Sequence, residues 1–166
     1  YVLVEEDSTP IYKTNRYSEG YQTEVYNPVG PGRVLLILVQ KQWIDGSDTA
    51  HRDAVTIQAY RKSDGSPIEG ASLVLKNGLW HDWLAISVGE ETGVSGIEDI
   101  YLREVSVGGA AVESAATEGD QVGYVNTSYH RYEVTYSTFH PVQGDRYQLT
   151  VTNRRLGNIN LTVTKT

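Results

Sequence analysis

The sequence predicts an all-β protein, a sandwich of short strands joined by turns, and three observations carry that prediction. Twelve tyrosines, three tryptophans and sixteen glycines stand beside abundant valine and threonine in 166 residues, a mixture that suits pleated, half-buried surfaces and the turns between them. Apolar and polar residues alternate in run after run, as in Val55-Thr56-Ile57-Gln58-Ala59-Tyr60, and no segment keeps a convincing helical period. Turn residues punctuate these runs at Asp45-Gly46-Ser47-Asp48, Ser63 to Pro67, Asn77-Gly78, Gly108-Gly109 and Gln143-Gly144-Asp145. Gly and Asn accept positive φ there, and Asp bonds its own backbone. Many short strands at this spacing describe a sandwich.

Taken in order, the runs reveal a repeated anomaly. The stretch Val34 to Val39 is too short to span a bilayer and reads as a buried strand. Its face Leu35, Ile37 and Val39 continues through Lys41 to Trp43, because side chains alternate along a strand. Ala54 to Tyr60 and Ser72 to Leu75 follow. In the run from Ile100 to Val107, Ile100 and Leu102 stand in phase with Glu104. Arg131 to Tyr136 alternates next. In the last run Tyr147, Leu149 and Val151 stand in phase with Asn153, opposite Gln148, Thr150 and Thr152. Three strands therefore each aim one polar residue, Lys41, Glu104 or Asn153, at an apolar face. Buried apart they would be costly, so they are expected to meet, and a buried amine meeting a carboxamide can react.

Charge and composition exclude several functions. A net charge of -7 argues against nucleic acid or an anionic membrane surface as partner. No stretch is apolar enough for membrane insertion, and no basic-then-apolar signal peptide opens the chain. Cysteine is absent, which removes disulfides and thiolate metal sites; methionine is absent too, as in an internal piece of a longer protein. His51-Arg52-Asp53 spells a kinase tripeptide without the Gly-rich loop or metal partners of a kinase. Asp45, Asp48 and Asp53 lack the spacing of an EF-hand and read as a solvated turn. His51, His81, His130 and His140 show no metal-ligand spacing, so no metal and no cofactor are expected. Asn126-Thr127-Ser128 and Asn160-Leu161-Thr162 are formal sequons and carry no weight by themselves.

Both ends echo the middle. Residues 157–166 resemble 33–42 and align Lys165 with Lys41. Residues 1–5 resemble the strand ending in Glu104, and Thr23 to Asn27 the one ending in Asn153. The chain thus reads as a window on a repeat array. It comprises the C-terminal strands of a preceding module over 1–30, a complete module over 31–156, and the first strand of a following module over 157–166. Lys165, Glu5 and Asn27 form a second set of the same residue types, whose proper partners belong to neighbouring modules.

The ordered motifs resemble a known family. Lys41-Gln42-Trp43, the Asp-rich loop, His51-Arg52 and the strand Val55 to Tyr60 are similar to the opening of a Cna protein B-type (CnaB) domain. Asn77-Gly78-Leu79-Trp80 with Trp83, then Leu102-Arg103-Glu104 and finally Val151-Thr152-Asn153 match its later motifs in order. Asp53 stands where the family usually has proline. Ile100, not Tyr101, is in phase four before Glu104. The interval from Glu104 to Asn153 is long enough for an extra hairpin through Tyr124 to Tyr136.

The resemblance implies an Ig-like β-sandwich of the reverse-Ig, transthyretin-like kind, a stalk module of a Gram-positive adhesin or pilin. It implies an extracellular place on the bacterial cell surface, anchored to the wall through a parent protein. Partners would be neighbouring modules and an unidentified host ligand. It further implies an isopeptide bond between Lys41 and Asn153, with Glu104 as proton shuttle, formed once per molecule and not by an enzyme with turnover. The competing reading is a carbohydrate- or host-ligand-binding module that stacks sugars on exposed Tyr124, Tyr129, Tyr132, Tyr136, Trp80 and Trp83.

Overall fold

Among the described residues, alternation becomes ten strands. A computed structural model describes residues 32–119 and 121–157, which from Arg33 onward belong to one unit. The strands are β1 (Val34–Ile44), β2 (Val55–Arg61), β3 (Pro67–Leu75), β4 (His81–Ser87), β5 (Ile100–Val107), β6 (Ala110–Ala111), β7 (Val122–Asn126), β8 (Arg131–Tyr136), β9 (His140–Gln143) and β10 (Arg146–Arg155). Single 3-10 turns occupy Thr49–His51 and Ile97–Asp99. The second set of in-phase polar residues, Lys165, Glu5 and Asn27, lies outside the described residues.

Six strands build one sheet, in the order β4-β1-β10-β8-β7 with β9 also on β10, and four build a second, in the order β3-β2-β5-β6. The two sheets form a sandwich-like arrangement. Among the described strands β1 and β10 alone run parallel, with Val151 opposite Lys41 and Asn153 opposite Trp43. The period-two pattern of β1 emerges directly as alternating burial. Leu35, Ile37 and Val39 are fully buried, as are Val55, Ile57 and Ala59 of β2, Ile100 of β5 and Val151 of β10. Burying each such valine, leucine or isoleucine side chain stabilises by roughly 1.5–3 kcal/mol. Lys41, Glu104 and Asn153 share this core.

Two features go beyond the alternation. The segment 124–136 does form a hairpin, β7–β8, yet it is part of the sheet, since β8 pairs with β10. Tyr132 and Val134 of that hairpin are completely buried. The second feature is β5, which is covered on both faces, so Tyr101 and Arg103 are buried as well. The connection between β6 and β7 lies over this outer face. Tyr101 Oη donates to the Ala116 carbonyl at 2.6 Å. Arg103 Nη2 donates to the carbonyls of Thr117 and Glu118 at 3.1 and 3.0 Å. The Arg103 guanidinium also lies 4.9 and 4.7 Å from the rings of Tyr101 and Tyr136. Desolvated contacts of this kind hold a loop without regular structure.

Candidate functional site

The two sheets bring Lys41, Glu104 and Asn153 together. Lys41 enters from β1 and Asn153 from its parallel neighbour β10, offset by two residues on the same inner face. Glu104 comes from β5 in the opposite sheet. Its carboxylate touches both partners: Asn153 Nδ2 donates to Oε2 at 2.7 Å, and Lys41 Nζ lies 3.3 Å from Oε1. The side chains of Lys41 and Glu104 are wholly inaccessible, and Asn153 is fully buried.

A local irregularity aims Glu104. Along β2 and β5, Thr56 faces Ser106 while Ile57 faces Glu104, so Val105 is an extra residue in the ladder. Such a bulge bends a strand and redirects its side chains. The backbone N–H of Glu104 is taken by the Tyr136 hydroxyl of β8 at 2.9 Å. Burial raises the Tyr136 phenol far above its ordinary range, so it stays neutral as it accepts that bond. Tyr136 thus fixes the backbone of the acid from the opposite sheet.

Aromatic rings close the pocket. Lys41 Nζ sits 4.4 Å from the Trp43 ring centroid. Trp43 meets Trp80 edge-on at 5.4 Å and Tyr132 at 5.3 Å. The Tyr132 phenol is pushed up to about 12, mainly by burial. Trp43 Nε1 and Tyr132 Oη have no hydrogen-bond partner among the described residues.

Electrostatics then favour uncharged partners. Burial lowers Lys41 from its ordinary 10.5 to about 8, against the opposing pull of the Glu104 charge. Burial raises Glu104 above its ordinary 4.5, against the pull of Lys41 and the Asn153 bond. At 3.3 Å the ion pair is worth about 5 kcal/mol at an effective dielectric near 20, while desolvating each ion costs several kcal/mol. The contact lacks the alignment of a full hydrogen bond, and Lys41 Nζ, Glu104 Oε1 and Asn153 Oδ1 have no hydrogen-bond partner among the described residues. One proton passed from amine to carboxylate would remove both buried charges. The site would then hold a neutral amine, an acid and a carboxamide, the components of an acyl transfer from one nitrogen to another.

The remaining sequence-selected residues fall elsewhere. The six aromatics do not form one platform. Tyr132 is in the core, Tyr136 bonds Glu104, Trp80 packs on Trp43, and Tyr124 is half-buried. Exposed Trp83 lies on β4 and exposed Tyr129 in the β7–β8 turn, at opposite edges of the sheet. The three aspartates do not form a calcium set either. Asp45 is buried and grips Arg52 in two bonds of 2.7 Å, which holds its carboxyl below the usual range.

Asp48 instead meets two histidines, a convergence that spacing could not reveal because His130 is 82 positions away. Tyr136 and Arg103 were equally hidden, since each acts across the sandwich or into a loop. The fold and pocket define a class: a β-sandwich with an amine, an acid and a carboxamide sealed in its core. No protein-family model matches the chain, and no curated protein or solved structure is significantly similar to it.

Proposed function

We propose that this chain is a CnaB-type, Ig-like structural module from the stalk of a bacterial cell-surface adhesin or pilin, crosslinked internally between Lys41 and Asn153. The observation that carries the reading is that one fully buried carboxyl group, Glu104, contacts both the amine and the carboxamide. The ordered motifs of the sequence supply the family.

The chemistry balances within the triad. The neutral Lys41 amine attacks Cγ of Asn153, forming a C–N bond while the carbonyl electrons move onto Oδ1. Turning the amide over exchanges Nδ2 with Oδ1, which gives protonated Glu104 an acceptor and polarises the carbonyl. Glu104 takes a proton from the attacking nitrogen and passes one to Nδ2. The Cγ–Nδ2 bond breaks, ammonia leaves, and a secondary amide joins the strands. Fixed geometry replaces substrate binding, and effective molarities for such intramolecular reactions reach about 10⁵–10⁸ M. Trp43, Trp80 and Tyr132 exclude the water that would otherwise compete.

Intact mass spectrometry tests the proposal. The protein should weigh one ammonia less than its sequence, and a digest should contain a peptide pair joined at Lys41 and Asn153. Glu104→Gln should restore the full mass. A wild-type protein of full sequence mass would refute the reading.

A further inference from the structure

A second cluster of chemistry-bearing side chains lies outside that pocket. Asp48, His51 and His130 bring one carboxylate and two imidazoles within 4.8 Å of one another. His51 Nδ1 is 2.9 Å from both Asp48 oxygens, and His130 Nε2 is 2.8 Å from Oδ2. We propose that these three residues form a binding site for a late first-row divalent cation, with zinc as the natural occupant.

The donor set selects the ion. Two neutral imidazoles and a carboxylate suit zinc, nickel or copper, whereas calcium and magnesium take oxygen. A tetrahedral zinc ion holds ligand atoms about 2.0–2.2 Å away. Ligand atoms of such an ion lie about 3.3–3.6 Å from one another, so each carboxylate–imidazole distance has to widen by roughly half an ångström from its present hydrogen-bonded value. Water would complete the coordination, since the side chains of His51, Asp48 and His130 are 36, 23 and 16 % exposed. The cluster is thus reachable from solvent.

The ligands are also held in place. The His51 ring lies on Tyr129 at 4.1 Å. In the β7–β8 turn, Thr127 Oγ1 accepts from the backbone N–H groups of Tyr129 and His130 at 3.2 and 3.1 Å. Arg155 Nη1, 43 % exposed, lies 4.0 Å from Asp48 Oδ2, and the Arg52 guanidinium, which grips Asp45, also feels the Asp48 charge. Water and salt screen the repulsion of a bound ion by exposed Arg155. A metal here would tie the β1–β2 loop to the β7–β8 turn. His130 in turn meets Tyr132 edge-on at 6.0 Å, so the tie lies beside the aromatic lid of the buried pocket.

Calorimetric titration of zinc chloride into the full chain decides the matter. One ion should bind per molecule and raise the melting temperature. His51→Ala and His130→Ala should each weaken binding at least about tenfold, since losing only a supporting partner of a ligand already costs 10–100-fold. His81→Ala and His140→Ala, at exposed positions, should leave it unchanged. In the unmutated protein, zinc should shift the imidazole resonances of His51 and His130, a readout independent of variant folding. The site is refuted if zinc does not saturate, if it shifts His81 or His140 instead, or if the first two variants bind as wild type.

Discussion

Replacing Lys41 by methionine isolates the value of the proposed crosslink. Methionine fills similar space, removes the nucleophile, and leaves Glu104, already raised by burial, neutral and bonded to Asn153. The loss is then chiefly that of a covalent loop closure. The bond would close roughly 110 residues between positions 41 and 153, which loop-closure arguments value at about 5 kcal/mol. A folded unit of roughly 125 residues has an unfolding entropy near 260 cal/mol/K, from about 2.1 cal/mol/K per residue. Lys41→Met should therefore melt about 15–20 °C below wild type. Circular dichroism on heating measures this, with intact mass recorded on the same samples. A variant that melted within a few degrees of a wild type lacking one ammonia would refute the assigned magnitude. A wild type of full mass would refute the bond itself.

Three further outcomes follow from the same geometry. Protein refolded from denaturant before crosslinking should lose ammonia more slowly in acid, because one further proton converts the neutral amine–acid pair into ammonium and acid and removes the nucleophile; mass against time over pH 5–9 checks this, and a rate that rises with acid would contradict it. Tyr136→Phe leaves the buried Glu104 N–H without its acceptor, costing about 1–3 kcal/mol, and should slow crosslinking while still permitting it. Asp45→Asn should cost about 1.5–3 kcal/mol through its charged bonds to Arg52. Because the Asp45 carboxyl is held below its ordinary 3.8, its contribution is present above that value and is lost as pH falls through the lower, folded one; the stability gap between variant and wild type in denaturant melts should therefore be smaller at pH 3 than at pH 7.

The face shared by Leu35, Ile37, Val39 and Lys41 was legible because a strand has only two faces, and the same rule placed Glu104 and Asn153. The cost of burying three polar groups separately then predicted their meeting. What stayed illegible depended on irregular backbone or on distant contacts. The extra residue at Val105 shifts the ladder by one position, and no alternation pattern announces it. Arg103 stands on what alternation assigns to the solvent side of β5, and the β6–β7 connection together with the rings of Tyr101 and Tyr136 buries it. The hairpin through Tyr124 to Tyr136 was visible, but its pairing with β10 depends on the whole sheet. His51 and His130 converge only because the β1–β2 connection, which crosses between the sheets, and the β7–β8 turn end beside one another.

Parallel pairing of β1 with β10 gives the proposed bond its mechanical sense. A pull that separates the start of β1 from the end of β10 slides the two strands along each other, loading their hydrogen bonds in shear. Lys41 lies near the end of β1 and Asn153 near the end of β10. Force entering at Arg33 would run along β1 to Lys41, cross the amide to Asn153, and leave within two residues at Arg155. Everything between positions 42 and 152, including the whole second sheet and the β7–β8 hairpin, would carry no load. Such a module could be pulled without unfolding and could carry irregular loops at no mechanical cost. A single-molecule pull separates the cases: wild type should show no unfolding length beyond the few residues outside the bond, whereas Lys41→Met should release the full length of the module.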